Sequence, residues 1–238
     1  MSLYKTESSK LTKSLIPKDN QVNLTDDALP KGSYYIWLVI GKRGSGKSNL
    51  VLNALENKDV YKKYYDNIFL VSPTAMRDKK FEKLCDELEK EDKCFDTCDD
   101  EVVNEIMGRI QKFNDEYKKK GKPRNLIIFD DCLSMLPKST QKNSAFNKLI
   151  VGNRHFKTDV FITSQQFKKI NPLIRANADM VSFFKNDNKT EKKSFMEEYG
   201  ITEDLLEDAT DDKHSFLHIT FNANKPTYFK KFDKYVDL

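Results

Sequence analysis

The strongest constraint on this chain is the octet GKRGSGKS at residues 41–48, set between an apolar run, SYYIWLVI, and the segment SNLVLNALEN. It fits the pattern G-x-x-x-x-G-K-[ST]. A continuous apolar run of strand length that ends in glycine reads as a central strand buried on both faces, because a strand with one wet face would alternate. Beyond the glycines, Leu50, Val51, Ala54 and Leu55 fall at helical spacing. NIFLVSPT at 67–74 then supplies a second apolar run, so strand, helix and strand imply a parallel crossover.

The glycines at 41, 44 and 46 let the backbone turn its N–H groups inward around phosphate oxygens, and the N-terminus of the following helix adds partial positive charge. Gly41, Lys42, Arg43, Gly44, Ser45, Gly46, Lys47, Ser48 and Asn49 are therefore the expected contacts of a bound ATP. Lys47 would reach its β and γ phosphates, and Ser48 would ligate magnesium.

The rest of the chain repeats the theme of apolar strands joined by helices. NLIIFDDC at 125–132, TDVFITSQ at 158–165 and MVSFFK at 180–185 read as further buried strands. Val103, Ile106, Met107, Ile110 and Phe113 form one stripe of an amphipathic helix, whose Lys118 to Lys120 run reads as a solvated end. A shorter helix passes through Phe146, Leu149 and Ile150. The tail, SFLHITFNANKPTYFKKFDKYV, reads as two alternating strands around the turn signal NANKP, which adds an antiparallel hairpin at a sheet edge. Residues 1–32 are polar, Lys-rich and carry Pro17 and Pro30, so they read as an arm able to dock on a neighbour, with residues 33–238 as the domain.

Composition excludes more than it selects. A net charge of +4 makes long-range attraction to a polyanion modest, so any nucleic-acid contact must come from local clusters. No stretch approaches the roughly 20 apolar residues that span a bilayer, and MSLYKTESSK lacks a signal peptide's apolar run, so a soluble, intracellular protein is expected. In that setting Cys85, Cys94, Cys98 and Cys132 read as reduced thiols. A zinc site from the first three is the competing assignment, against which stand the spacing and the lack of a nearby histidine. His214 and His218 are four apart, but in a segment that alternates like a strand, so they would not share a helical metal-binding face.

LIIFDD ends the third apolar run with two carboxylates. Asp130 closes the run, which puts it at the sheet's C-terminal edge beside the glycine loop, where it would hold magnesium through water. Asp131 falls on the other side of the strand end and is the candidate for polarising an attacking water, with capping of the next helix as the alternative. Gln165, at the end of the fourth run, would sit in the same crevice and sense the γ phosphate, with Gln166 as its competitor. Arg154 and Arg175 flank that run. A guanidinium from an adjacent copy would stabilise the transition state's charge, although either arginine could instead pair with a carboxylate of its own chain. Lys168 and Lys169, and the segment from Arg77 to Lys80, could face a DNA backbone or simply be solvated.

GKRGSGKS, LIIFDD, NRHF, TSQQ and IRANAD, in this order from about Tyr34 to Lys185, resemble the packaging ATPases of poxviruses, other large DNA viruses and the smaller viruses associated with them, within the FtsK-HerA group. The resemblance implies a RecA-like P-loop NTPase fold of the α/β class, with a mostly parallel sheet flanked by helices. It also implies a homo-oligomeric ring, pentamer or hexamer, that hydrolyses ATP with magnesium and translocates double-stranded DNA into a preformed capsid or procapsid, in the host cytoplasm's viral factory or in the virion. Lys47 and Ser48 then become the Walker A pair, Asp130 and Asp131 the Walker B pair, Gln165 the sensor, and Arg154 or Arg175 the interface cation. One departure stands out: Asn153 occupies the position before the Arg-His pair where the family commonly has glycine. Two other readings fit the loop. A small-molecule phosphotransferase would need an arginine-rich lid segment, which is not apparent, and a non-catalytic nucleotide-binding assembly protein would not need Asp131.

Overall fold

Ile36–Ile40 is buried at every position. Its side chains divide by parity, with Ile36, Leu38 and Ile40 in one apolar cluster and Trp37 and Val39 in the other. Successive strand residues point to opposite faces, so this strand must carry a packed layer on each side. The structure is a computed structural model and describes residues 5–7, 28–32, 34–75, 79–117, 121–132, 135, 144–221 and 225–236.

The strands are β1 (Thr6–Glu7), β2 (Ile36–Ile40), β3 (Asn67–Val71), β4 (Cys94–Phe95), β5 (Asn125–Asp130), β6 (Thr158–Ser164), β7 (Met180–Phe184), β8 (Phe216–Thr220), β9 (Thr227–Lys230) and β10 (Asp233–Tyr235). The helices are α1 (Lys47–Glu56), α2 (Glu82–Glu89), α3 (Asp100–Tyr117), α4 (Ala145–Gly152), α5 (Pro172–Ala176), α6 (Lys189–Tyr199) and α7 (Glu203–Ala209). One sheet holds the strands in the order β1-β10-β9-β8-β7-β2-β6-β5-β3-β4. From β7 to β4 every pairing is parallel. From β7 outward to β1 every pairing is antiparallel. Strand β6 therefore separates the glycine-loop strand β2 from the aspartate-bearing strand β5.

Leu50, Val51 and Ala54 of α1 and Cys85 and Leu88 of α2 pack with Trp37 and Val39. Val103, Ile106, Met107 and Ile110 of α3 and Phe146, Leu149 and Ile150 of α4 cover the opposite face. Helix ends follow local chemistry. Ser144 caps α4 by accepting from Asn147 N, and Asn188 caps α6 while Gly200 ends it at φ 65°.

The antiparallel tail is present, but its second strand is broken into β9 and β10 by a turn at Lys231 and Phe232, with Lys231 at φ 57°. The first three residues of the NANKP turn, 222–224, lie outside the described residues, as do Arg77 and the Lys118 to Lys120 run. Two parts of the N-terminal stretch contact the domain. Thr6 and Glu7 pair with Tyr235 and Lys234. Ala28 is buried and closes a hydrogen-bonded chain: Trp37 Nε1 donates to Ser182 Oγ (3.0 Å), Ser182 to His218 Nδ1 (2.8 Å), and His218 Nε2 to Ala28 O (2.7 Å). Burial pushes the His218 imidazole down to about 4, so it is a neutral core residue.

Cys85 and Cys94 lie in one apolar layer with their sulfurs 3.5 Å apart, whereas Cys98 and Cys132 lie in the layer on the other face. The sheet thus divides the three thiols considered as zinc ligands. No helix among the described residues is long and apolar enough to cross a membrane.

Candidate nucleotide site

All parallel strands end at the same edge, and there the chain places its polar chemistry. β2 runs into the glycine loop, where Gly44 (φ 77°) and Gly46 (φ 111°) take left-handed conformations that disfavour any side chain. Gly41 is held by packing: a Cβ there would come within 2.6 Å of Ser45 Oγ and 2.7 Å of Phe184 Cβ. Helix α1 starts at Lys47 behind Gly46, which has no side chain to cap its first turn. Its leading N–H groups are thus open to an anion.

A pocket of about 730 Å³ is lined by Arg43, Gly44, Gly46, Lys47, Ser48, Asn49, Thr74, Lys80, Asp130, Asp131 and Gln165. Three of these side chains are cations and two are carboxylates, a donor set suited to a polyphosphate with a divalent ion. Gly41, Lys42 and Ser45, expected as contacts, do not line it. Lys42 instead pairs with Asp187, and Ser45 is buried with a side-chain oxygen that finds no hydrogen-bond partner among the described residues.

Asp130 Oδ1 accepts from Ser48 Oγ (2.9 Å) and Thr163 Oγ1 (2.8 Å). Burial raises its pKa from the ordinary 3.8, while the two hydroxyl donors oppose that shift; the Asp131 charge raises it further and the Lys47 ammonium lowers it. Asp131 breaks the strand alternation that would have sent it to the far side. Its φ of 49° turns the backbone left-handed immediately after β5, and its carboxylate faces the same pocket as Asp130. Asp131 Oδ2 lies 3.6 Å from Lys47 Nζ and accepts from Gln165 Nε2 at 3.0 Å. Lys47 itself is buried, 5% exposed, so its ammonium is available only to the pocket.

The hydroxyl that ties these groups together belongs to Thr163. It donates to Asp130, accepts from Asp131 N (3.1 Å), and stands on the intervening strand β6. A polar residue directly after the apolar triplet of residues 160–162, near the C-terminal end of the strand, was the available signal. Thr74 and Lys80, from the connection after β3, also reach the pocket and carry no motif.

Arg154 and Arg175 stand apart from these groups. Arg154 precedes β6 and pairs with Asp179 (3.0 Å), which precedes β7, so this ion pair lies at the sheet edge opposite the glycine loop. Arg175 pairs with Glu198 (3.6 Å) and packs its guanidinium over Phe167 (4.9 Å). Lys168 and Lys169 are exposed on the short turn Phe167–Lys169. The buried Glu191 accepts there from Phe167 N (2.6 Å) and Lys168 N (3.3 Å).

The model of the zonular occludens toxin (Zot) family matches residues 35–232. Protein L437 of Acanthamoeba polyphaga mimivirus is 24% identical over 168 residues, 68% of this chain and 56% of that protein. The chain thus spans little more than half of that relative's length. Protein 088R of Invertebrate iridescent virus 3 is 25% identical over 199 residues, 78% of this chain and 70% of the relative. Among solved structures, the genome packaging NTPase B204 of Sulfolobus turreted icosahedral virus 2, in complex with AMP, aligns with a TM-score of 0.60 at 17% identity over 83% of this chain and 98% of that one. VirB4 of Thermoanaerobacter pseudethanolicus aligns with a TM-score of 0.57 at 9% identity over 97% and 96%. At these identities the likeness concerns the fold, which is that of a P-loop NTPase.

Proposed function

Because the chain belongs to the zonular occludens toxin (Zot) family, and its glycine loop, lysine and twin aspartates line one pocket, we propose that it is an ATPase that drives double-stranded viral DNA into a capsid. The observation that carries the catalytic part is the contact set of Asp131, 3.6 Å from Lys47 and 3.0 Å from Gln165. Lys47, Arg43 and Lys80 offer positive charge to the phosphates. Ser48 and Asp130 would hold magnesium, which neutralises charge on the phosphates. Asp131, turned toward the pocket, accepts a proton from the attacking water, and Gln165 orients that carboxylate and senses the γ phosphate.

The motor part draws its support from the viral relatives and from the packaging NTPase of the same fold. In this reading identical subunits form a ring of five or six around DNA at a capsid or procapsid, in the host cytoplasm or the virion. A neighbouring subunit supplies the cation that completes each site. Arg154, 71% exposed, is better placed for that role than Arg175, which is 15% exposed and packed on Phe167. Lys168 and Lys169 contact the DNA backbone, on a turn that begins two residues past Gln165, so hydrolysis has a short covalent path to the strand.

The test is phosphate release from ATP with and without duplex DNA. The wild-type protein is expected to be stimulated by duplex, whereas Lys47→Ala and Asp131→Asn each fall about 100- to 1000-fold. Asp131→Asn keeps its affinity for ATP. Turnover retained in both variants would remove the site assignment, and turnover indifferent to duplex would remove the motor. Mixing Arg154→Ala with Lys47→Ala subunits should restore part of the activity, since a group acting between chains is complemented only in a mixed ring.

A further inference from the structure

His214 lies on the turn between α7 and β8, more than 160 residues from the glycine loop, and its Nδ1 stands 2.9 Å from Ser45 O. We propose that His214 is a positioning residue of the phosphate loop, holding the Ser45 carbonyl outward so that the neighbouring N–H groups stay turned toward a nucleotide. The inference rests on the reading of that loop as a phosphate cradle.

Ser45 sits between Gly44 at φ 77° and Gly46 at φ 111°. Flanking glycines give a peptide the widest choice of orientations, so the loop's shape needs a restraint from outside. Its own turn supplies one hydrogen bond, Ser45 N to Lys42 O at 3.1 Å. A further one comes from His214. A carbonyl oxygen only accepts, so the imidazole must carry a proton on Nδ1. Neither Ser45 nor His214 lines the pocket, which puts this bond on the loop's outer side. The ring also covers Gly46, because a Cβ there would lie 3.7 Å from His214 Nδ1.

The turn that carries His214 is itself fastened. Lys185 N donates to Ser215 O (3.1 Å), Lys185 Nζ to Asp211 O (2.9 Å) and Lys230 Nζ to Asp211 Oδ2 (2.7 Å). Lys185, directly after β7, and Lys230 of β9 thereby fix the turn, and the antiparallel half of the sheet reaches back to the loop that the parallel half presents.

A restraint on the empty loop acts on nucleotide binding and leaves the chemical step alone. His214→Ala should therefore weaken binding of a fluorescent ATP analogue and raise KM for ATP by about 2- to 10-fold, the worth of one neutral hydrogen bond, with kcat at saturating ATP unchanged. His214→Asn offers an amide N–H near the Nδ1 position and should recover most of the affinity. A purely structural role would instead lower thermal stability and kcat together, without rescue. Titrations of wild type, both variants and Lys47→Ala with the analogue, run beside steady-state assays, distinguish these results. An unchanged Kd in His214→Ala, or an asparagine variant no better than alanine, overturns the inference while the cradle stands. A wild-type protein that fails to bind the analogue overturns the cradle, and the inference with it.

Discussion

Replacing Thr163 with valine removes one oxygen and almost no volume from a position that is fully buried. The hydroxyl donates to Asp130 Oδ1 at 2.8 Å and accepts from Asp131 N at 3.1 Å, so the substitution leaves a buried carboxylate and a half-buried N–H each short of a partner. Each such loss costs about 1–3 kcal/mol, and Ser48 still serves Asp130, so the sum is roughly 3 kcal/mol. For a domain of this size that corresponds to a fall in Tm of about 6–12 °C. The same change removes one of the two donors that hold down a pKa already raised by burial, so the Asp130 carboxyl moves further upward. If turnover needs Asp130 ionised, the acid limb of the rate profile must shift to higher pH, because the carboxylate is lost sooner as pH falls. Thr163→Ser, which keeps the hydroxyl, should restore both the melting temperature and the limb. Calorimetry and a pH profile of kcat/KM between pH 5 and 9 test the two halves separately. A valine variant that melts like the wild type refutes the energetic argument, and one that melts lower with an unmoved acid limb refutes the electrostatic one.

Asp159 offers a test at the opposite edge of the sheet. Burial chiefly, with help from the Asp179 charge, holds its carboxyl at about 7, against the pull of the Tyr35 N–H and the Tyr65 hydroxyl. The folded chain therefore keeps a proton that the unfolded chain has lost above the ordinary 3.8. That stability is complete below the unfolded value and disappears as pH rises through about 7, a span of up to about 4 kcal/mol. Asp159→Asn stays neutral, so its Tm relative to wild type should climb between pH 4 and 8; parallel curves would refute the assignment. Gly41→Ala forces a methyl group within 2.7 Å of Phe184 Cβ, and the overpacking should cost about 1–3 kcal/mol while weakening binding of an ATP analogue. Unchanged melting and binding would show that the loop can shift aside.

Local chemistry made much of this molecule legible. The octet at 41–48 is bounded by an unbroken apolar run and a helical stripe, and only a strand, turn and helix satisfies all three. The apolar runs ending at Asp130, Ser164 and Phe184 became parallel strands because they are buried on both faces. The short helices α2, α6 and α7 left a weaker trace. They are rich in charge, and α2 buries only Cys85 and Leu88. Strand β4, two residues long, carries no periodicity at all.

What the sequence determined by itself was the chemistry available at one edge of a parallel sheet: a glycine loop, a lysine, a serine and two carboxylates at strand ends. Which of these meet was decided by tertiary structure. A period of two would have parted Asp130 and Asp131, yet one left-handed residue turns both to the same pocket. Thr163 joins them because β6 is inserted between β2 and β5, an order that no local pattern encodes. Arg154 faces Asp179 and His214 faces Ser45 for the same reason: strand order and crossover direction bring distant residues together, and both are set by how a whole sheet buries its two faces.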